Sequence, residues 1–205
     1  MILEQKKVSK DKLLKFLKTF DKNVKVLNNS QRKDLLSEMG IDFKVITSDK
    51  EETYPKHLKG KEVSDFLSIQ KSDNLKETLK ENELLITADT IVVLDNKILG
   101  KPKSKEESYK MIQSLSDKKH NVITSVTLTT TKKQKTFSVS TTVTFNTISD
   151  KDIHFYIEKY QPFDKAGSYG IQEWIGLTSI EKIEGSYTNV VGLPTSELYK
   201  KITIF

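Results

Sequence analysis

Residues 84–94, Leu-Leu-Ile-Thr-Ala-Asp-Thr-Ile-Val-Val-Leu, form an apolar run interrupted by one carboxylate, Asp89. β-Branched residues dominate the run, so it predicts a strand buried on both faces. A charge in such a strand is costly unless it meets a metal, a cation or the open edge of a cleft. Taken alone, the run also fits a plainer reading, a carboxylate held by backbone N–H groups. Two later features favour chemistry. Gly100-Lys101-Pro102 supplies a cation in a forced turn six residues after Leu94, and a polar block, Asp164-Lys165-Ala166-Gly167-Ser168-Tyr169-Gly170-Ile171-Gln172, follows.

At 205 residues the chain suits one domain with a substantial core. No apolar run approaches the roughly 20 residues that span a bilayer. The start, Met1-Ile2-Leu3-Glu4-Gln5-Lys6-Lys7, lacks the apolar block of a secretory signal, so a cytoplasmic protein away from membranes is expected. Zero cysteine excludes disulfides and thiolate metal sites. The net charge of +6 is almost wholly lysine, since Arg32 is the only arginine. Readers of nucleic acid polymers lean on arginine forks. Here lysines alternate with Asp and Glu, the pattern of a solvated surface that still favours a small polyanion such as a nucleotide.

Leu13, Leu14, Phe16, Leu17 and Phe20 share one face of a basic amphipathic helix over 9–20. This predicts an N-terminal extension, 1–23, ahead of a single domain, 24–205. Val24–Leu27 reads as a short strand. Asn28-Asn29-Ser30 supplies caps for a helix over 31–39 stopped by Gly40. A helical segment over 62–80 is expected to break near Ser72-Asp73-Asn74. Strand 84–94 turns at Asp95-Asn96 into Lys97-Ile98-Leu99, and Ser104 to Glu107 is a capping box for a helix to about Leu115. Residues 121–131 and 135–146 read as a hairpin around Lys132-Lys133-Gln134. A helix from Ser149-Asp150 to about Tyr160, a strand near 177–183 and a helix after Pro194 complete an α/β pattern with a mixed sheet.

Phosphate loops, dinucleotide glycine motifs, serine nucleophile elbows and zinc-protease motifs are all absent. His57, His120 and His154 lack metal-ligand spacing; His120 opens a strand and reads as structural. What remains is carboxylates and lysines, the groups that serve magnesium-dependent phosphate chemistry.

Their order resembles the Maf family, the septum-formation-type nucleoside triphosphate pyrophosphatases. Ala88-Asp89-Thr90 with Gly100-Lys101-Pro102 matches the family's "ADT…GKP" signature. Residues 164–172 match its "DKAGAYGIQ" block, and Gly185-Ser186-Tyr187-Thr188-Asn189-Val190-Val191-Gly192-Leu193-Pro194 matches its "GSYxNVxGLP" close. The resemblance implies an elongated mixed β-sheet flanked by helices, in two lobes around a central cleft (Maf / inosine-triphosphatase-like), and frequent homodimers. It implies Asp89 as the catalytic proton acceptor and a divalent metal, Mg²⁺ or Mn²⁺, on Glu52 and Asp89. It also implies Lys71 and Lys101 on the phosphates, with Thr90 assisting beside Asp89, and leaves Lys165 either to serve the triphosphate or to pair with Asp164. Branches with this block handle dTTP and UTP, whereas those acting on 7-methyl-GTP carry a cysteine-containing version. The Gln172 amide, donor and acceptor at once, suits the N3–H and O4 edge of uracil or thymine.

One signature departs. The family has Ser-x-Ser-Pro-Arg-Arg between its first strand and first helix. Aligned back from Leu35-Leu36 without gaps, this chain has Leu27-Asn28-Asn29-Ser30-Gln31-Arg32, although a small gap would pair Ser30 with a family serine. The helix N-terminus still offers N–H groups to an anion, and Arg32 and Lys33 are the cations available to phosphate there. The leading expectation is hydrolysis of dTTP and UTP to the monophosphate and pyrophosphate. A nucleotide-binding regulator with weakened catalysis is the alternative, and a surface module acting through residues 1–22 is a more distant one.

Overall fold

The computed structural model describes residues 23–48, 50 and 52–205; the expected helix over 9–20 lies outside the described residues. Val24–Leu27 (β1) leads through Asn28 and Asn29 into Ser30–Glu38 (α1). The Asn29 side chain caps α1 by accepting from the Arg32 N–H at 2.9 Å, and Gly40, at φ +73°, ends it. Phe43–Ile46 (β2) then pairs in parallel with β1, a half-exposed strand too short to announce itself in the sequence.

Lys61–Lys76 (α2) runs unbroken through Ser72-Asp73-Asn74, where the sequence predicts a break. Packing explains the difference. Ser64, Ser68 and Ser72, spaced one turn apart, bond their hydroxyls to Ser125, Thr127 and Thr129 at 2.7, 2.9 and 2.5 Å. Those contacts consume the side chains that otherwise compete with the helical backbone. Leu84–Leu94 (β3) follows, and turns through Asp95 and Asn96, both at positive φ, into Lys97–Leu99 (β4).

Ser104 caps Lys105–Leu115 (α3). Lys119–Thr129 (β5) and Gln134–Phe145 (β6) form the expected hairpin, with the Thr130 hydroxyl accepting from the Lys132 and Lys133 N–H groups in the turn. Asp150–Tyr160 (α4) is capped by Ser149. Trp174–Ser179 (α5) occupies the start of the segment predicted as a strand near 177–183, so the strand itself, Ile180–Glu184 (β7), begins later. Gly176 makes that helix possible: a Cβ there would lie 1.8 Å from the Ile171 carbonyl oxygen. Tyr187–Val191 (α6) and Thr195–Ile202 (α7) close the chain.

The seven strands form one mixed sheet, ordered β2-β1-β3-β5-β6-β7 with β4 on β3. This is the expected α/β architecture. Two main cores flank its middle. One gathers Leu36, Ile86, Leu193 and Leu198, and the other gathers Phe145, Tyr156, Ile171 and Ile175. On one edge of β3, β1 pairs with Leu84–Ile86 and β4 with Val92–Leu94. Residues 87–91 have no strand neighbour on that edge. Asp89 stands in this gap. Among the described residues, no helix is long and apolar enough to cross a membrane.

His120 is buried, its Nε2 2.7 Å from the Tyr169 hydroxyl and its ring edge-on to Phe145 and Tyr169. Burial lowers its pKa from 6.5 to about 4. Below pH 6.5 the unfolded chain therefore binds a proton that the folded chain refuses until about pH 4. Its contribution is fully present above pH 6.5 and is lost on acidification through that window. Urea unfolding should show stability falling there by about 1.4 kcal/mol per pH unit from this residue alone. His120→Asn should flatten the slope between pH 6.5 and 5; an unchanged slope would assign the acid sensitivity elsewhere.

Candidate active site

Alternation along β3 sends Thr87, Asp89 and Ile91 to the α2 face and Ala88 and Thr90 to the other. On the α2 face, the Thr87 hydroxyl donates to the Ser68 carbonyl at 2.7 Å, while Ile91 packs on Val63 and Leu67. Between them Lys71 reaches Asp89, Nζ to Oδ1 2.6 Å, with both side chains nearly buried. The same ammonium lies 2.9 Å from Glu52 Oε2. The charge in the apolar strand is thus matched by a cation, at the open edge of a cleft. Two of the three alternatives set by the sequence, the cation and the cleft edge, are met at once.

On the opposite face, Arg32 fills the gap in the sheet edge. Its Nη1 donates to the Ala88 carbonyl at 2.7 Å, Nε to the Gly192 carbonyl at 3.0 Å and Nη2 to the Thr90 hydroxyl at 3.2 Å. Burial pulls the guanidinium pKa down, while Asp89 and Glu52 push it back up. It remains a cation at neutral pH. The direction of the Thr90 proton follows from its neighbours. Thr124 gives its single proton to the Asn189 carbonyl at 2.9 Å, so in the 3.0 Å contact between Thr90 and Thr124 it is Thr90 that donates. Thr90 can therefore meet a ligand only as an acceptor.

These groups line a cleft of about 660 Å³ that also takes in Gln31, Lys101, Lys165 and Gln172. Lys101 is exposed beside the Gly100–Pro102 turn, and the Gly100 carbonyl accepts from the Gly167 N–H at 3.0 Å. That close approach needs glycine, because a Cβ on Gly167 would meet Val92 Cγ2 at 2.9 Å. Lys165 pairs with Asp164 at 2.8 Å and Glu173 at 3.2 Å; burial works against its charge, but these carboxylates outweigh it and hold its pKa above the usual value. Gln172 is exposed at the cleft wall.

Eight of the nine sequence-predicted site residues thus share one cleft, the exception being Lys33, which does not line it. Lys33 follows Arg32 on α1, so its side chain leaves the helix on a different bearing. Gln31 lines the cleft, in agreement with the ungapped alignment. Lys50 and Tyr54 also line it, and neither was singled out in the sequence. Their signal was proximity to Glu52, which a local pattern does not reveal.

Among the described residues, no group of three or more His, Asp or Glu side chains is placed to hold a metal. Asp89 and Glu52 nevertheless converge on one cation position, now taken by the Lys71 ammonium. Two hard oxygen donors fit Mg²⁺ or Mn²⁺ when phosphate and water complete the shell.

The pattern of Maf-like proteins matches residues 28–205. The chain belongs to the Maf family. Among its relatives, a dTTP/UTP pyrophosphatase of Christiangramia forsetii is 50% identical over 172 residues, covering 84% of this chain and 88% of that one. One of Bacteroides thetaiotaomicron is 47% identical, covering 85% and 91%. One of Flavobacterium johnsoniae is 44% identical, covering 95% and 97%. Among solved structures, the Staphylococcus aureus Ham1 protein superposes with a TM-score of 0.43 at 18% identity, over 62% of this chain and 72% of that one.

The ion pair in the gap generates a stability prediction. Lys71→Met leaves the Asp89 charge buried without its partner and should cost about 3 kcal/mol in urea unfolding. Adding Asp89→Asn removes that charge and should restore most of the loss. A single variant as stable as the parent would show that water, not Lys71, compensates Asp89.

Proposed function

We propose that this Maf family member is a metal-dependent nucleoside triphosphate pyrophosphatase that converts dTTP and UTP to the monophosphate and pyrophosphate. The observation that carries the proposal is the cleft itself. The Asp89–Lys71–Glu52 cluster, the cations Lys101 and Lys165, and the Gln172 amide face one space about the size of a nucleotide site. Relatives at 44–50% identity are named for dTTP and UTP. The altered loop at Gln31, which motivated the regulator reading, leaves the Asp89–Lys71–Glu52 cluster intact.

In this reading Gln172 meets the O4 and N3–H edge of the pyrimidine. Lys101 and Lys165 offset charge on the triphosphate, where it grows on the leaving pyrophosphate. Asp89 and Glu52 would hold Mg²⁺ or Mn²⁺, which supplies electrostatic stabilisation of the phosphoryl oxygens when bound. Phosphate oxygens compete with the two carboxylates for Lys71, and its transfer to phosphate frees Asp89. Asp89 then orients a water and takes its proton as the water oxygen bonds to the α-phosphorus. The α–β bridging bond breaks, and pyrophosphate leaves with the electron pair. A homodimer completes the proposal, on family resemblance alone.

The test is a panel of nucleoside triphosphates with Mg²⁺ or Mn²⁺, read by pyrophosphate release. Release from dTTP and UTP ahead of GTP and ATP is expected; no release from any nucleotide would return the regulator reading. Gln31 adds a sharper arm. It lines the cleft without charge, so Gln31→Arg should lower KM for UTP through a charge-assisted contact of about 1–3 kcal/mol. An unchanged KM would place Gln31 beyond reach of the phosphates.

A further inference from the structure

Gln172 sits third in a turn closed by the Glu173 N–H donating to the Gly170 carbonyl at 3.0 Å. The second residue, Ile171, is buried in the core, while Gln172 is exposed and lines the cleft. A second closure joins the same two ends. The Tyr156 hydroxyl, from α4, accepts from the Gly170 N–H at 3.0 Å and donates to Glu173 Oε2 in a short hydrogen bond. Its single proton goes to the carboxylate and its oxygen serves the amide, so no other residue type of that size supplies both bonds. The fit is tight: a Cβ on Gly170 would lie 2.8 Å from the Glu173 carboxyl carbon. The other Glu173 oxygen, Oε1, takes Lys165 at 3.2 Å. Tyr156 is wholly buried among core side chains, and burial with the Glu173 bond raises its pKa, so it stays a phenol.

We infer that Tyr156 and Glu173 are positioning residues for base selectivity: their paired closure of the 170–173 turn fixes where the Gln172 amide stands. The inference rests on the proposed function, because it assigns Gln172 to the base. Neither residue touches the nucleotide. The chemistry they control is the donor–acceptor match to a uracil or thymine edge, which is lost when the amide shifts by a fraction of a hydrogen-bond length.

The experiment uses the full chain and non-hydrolysable α,β-methylene analogues of UTP and GTP, so that turnover is not required. Dissociation constants are read by isothermal titration calorimetry. Wild type is expected to prefer the uridine analogue. Tyr156→Phe, which keeps the ring and removes both bonds, should weaken that analogue about tenfold and leave the guanosine analogue within about twofold. Glu173→Gln should fall between the two. The readout that separates positioning from mere support is a double-mutant cycle on the uridine-to-guanosine ratio. Once Gln172→Ala is present, Tyr156→Phe should change the ratio no further. Full additivity, or a loss of melting temperature with the ratio unchanged, would overturn the inference while leaving the proposed function standing. No preference in the wild type would instead remove the base assignment, and the inference with it.

Discussion

The structure depends on the gap in one edge of β3. A strand as apolar as residues 84–94 belongs inside a sheet, yet β1 covers only its first residues on that edge and β4 only its last. The stretch between carries a carboxylate and backbone groups that need partners. The fold supplies them from two directions. Lys71, held in register on α2 by hydroxyl contacts to β5, neutralises Asp89 from one face. Arg32, aimed by the Asn29 cap of α1, takes the Ala88 carbonyl from the other. A cleft forms because side chains rather than a strand complete the edge.

Arg32 also ties together parts distant in sequence. Its bonds to Ala88, Thr90 and Gly192 join α1, β3 and the C-terminal block. From Thr90 the chain of hydroxyls runs through Thr124 to Asn189, whose amide donates to the Val122 carbonyl and the Thr141 hydroxyl at 3.0 Å. The one arginine is therefore both a charge at the cleft and a clamp on its walls. Three of its five N–H groups are committed to the protein, which leaves two for an anion.

Much of this was legible in the sequence. The strand limits at Leu84 and Leu94, the Asp95-Asn96 turn and the caps at Asn29, Ser104 and Ser149 follow from local chemistry, and local chemistry is what the folded chain uses there. Asp89 announced itself as a charge out of place. The misses come from packing that the residue pattern does not display. α2 continues through a polar stretch because β5 supplies hydroxyls 57 to 61 residues away. α5 replaces the start of a predicted strand because Gly176 packs on a nearby carbonyl. Tyr156 reads as an ordinary core aromatic until its hydroxyl is seen closing the Gln172 turn.

The central claim is that the Asp89–Lys71 pair is the reacting centre and not only a way to neutralise a strand. The most direct measurement is pyrophosphate release from UTP by the neutral double variant Lys71→Met/Asp89→Asn, with folding checked by circular dichroism and urea unfolding. The account predicts a folded protein whose rate is lower by at least about 10²–10⁴-fold, because proton transfer and phosphate charge have lost their groups. A folded double variant that still turns over UTP within a few-fold of the parent would contradict it.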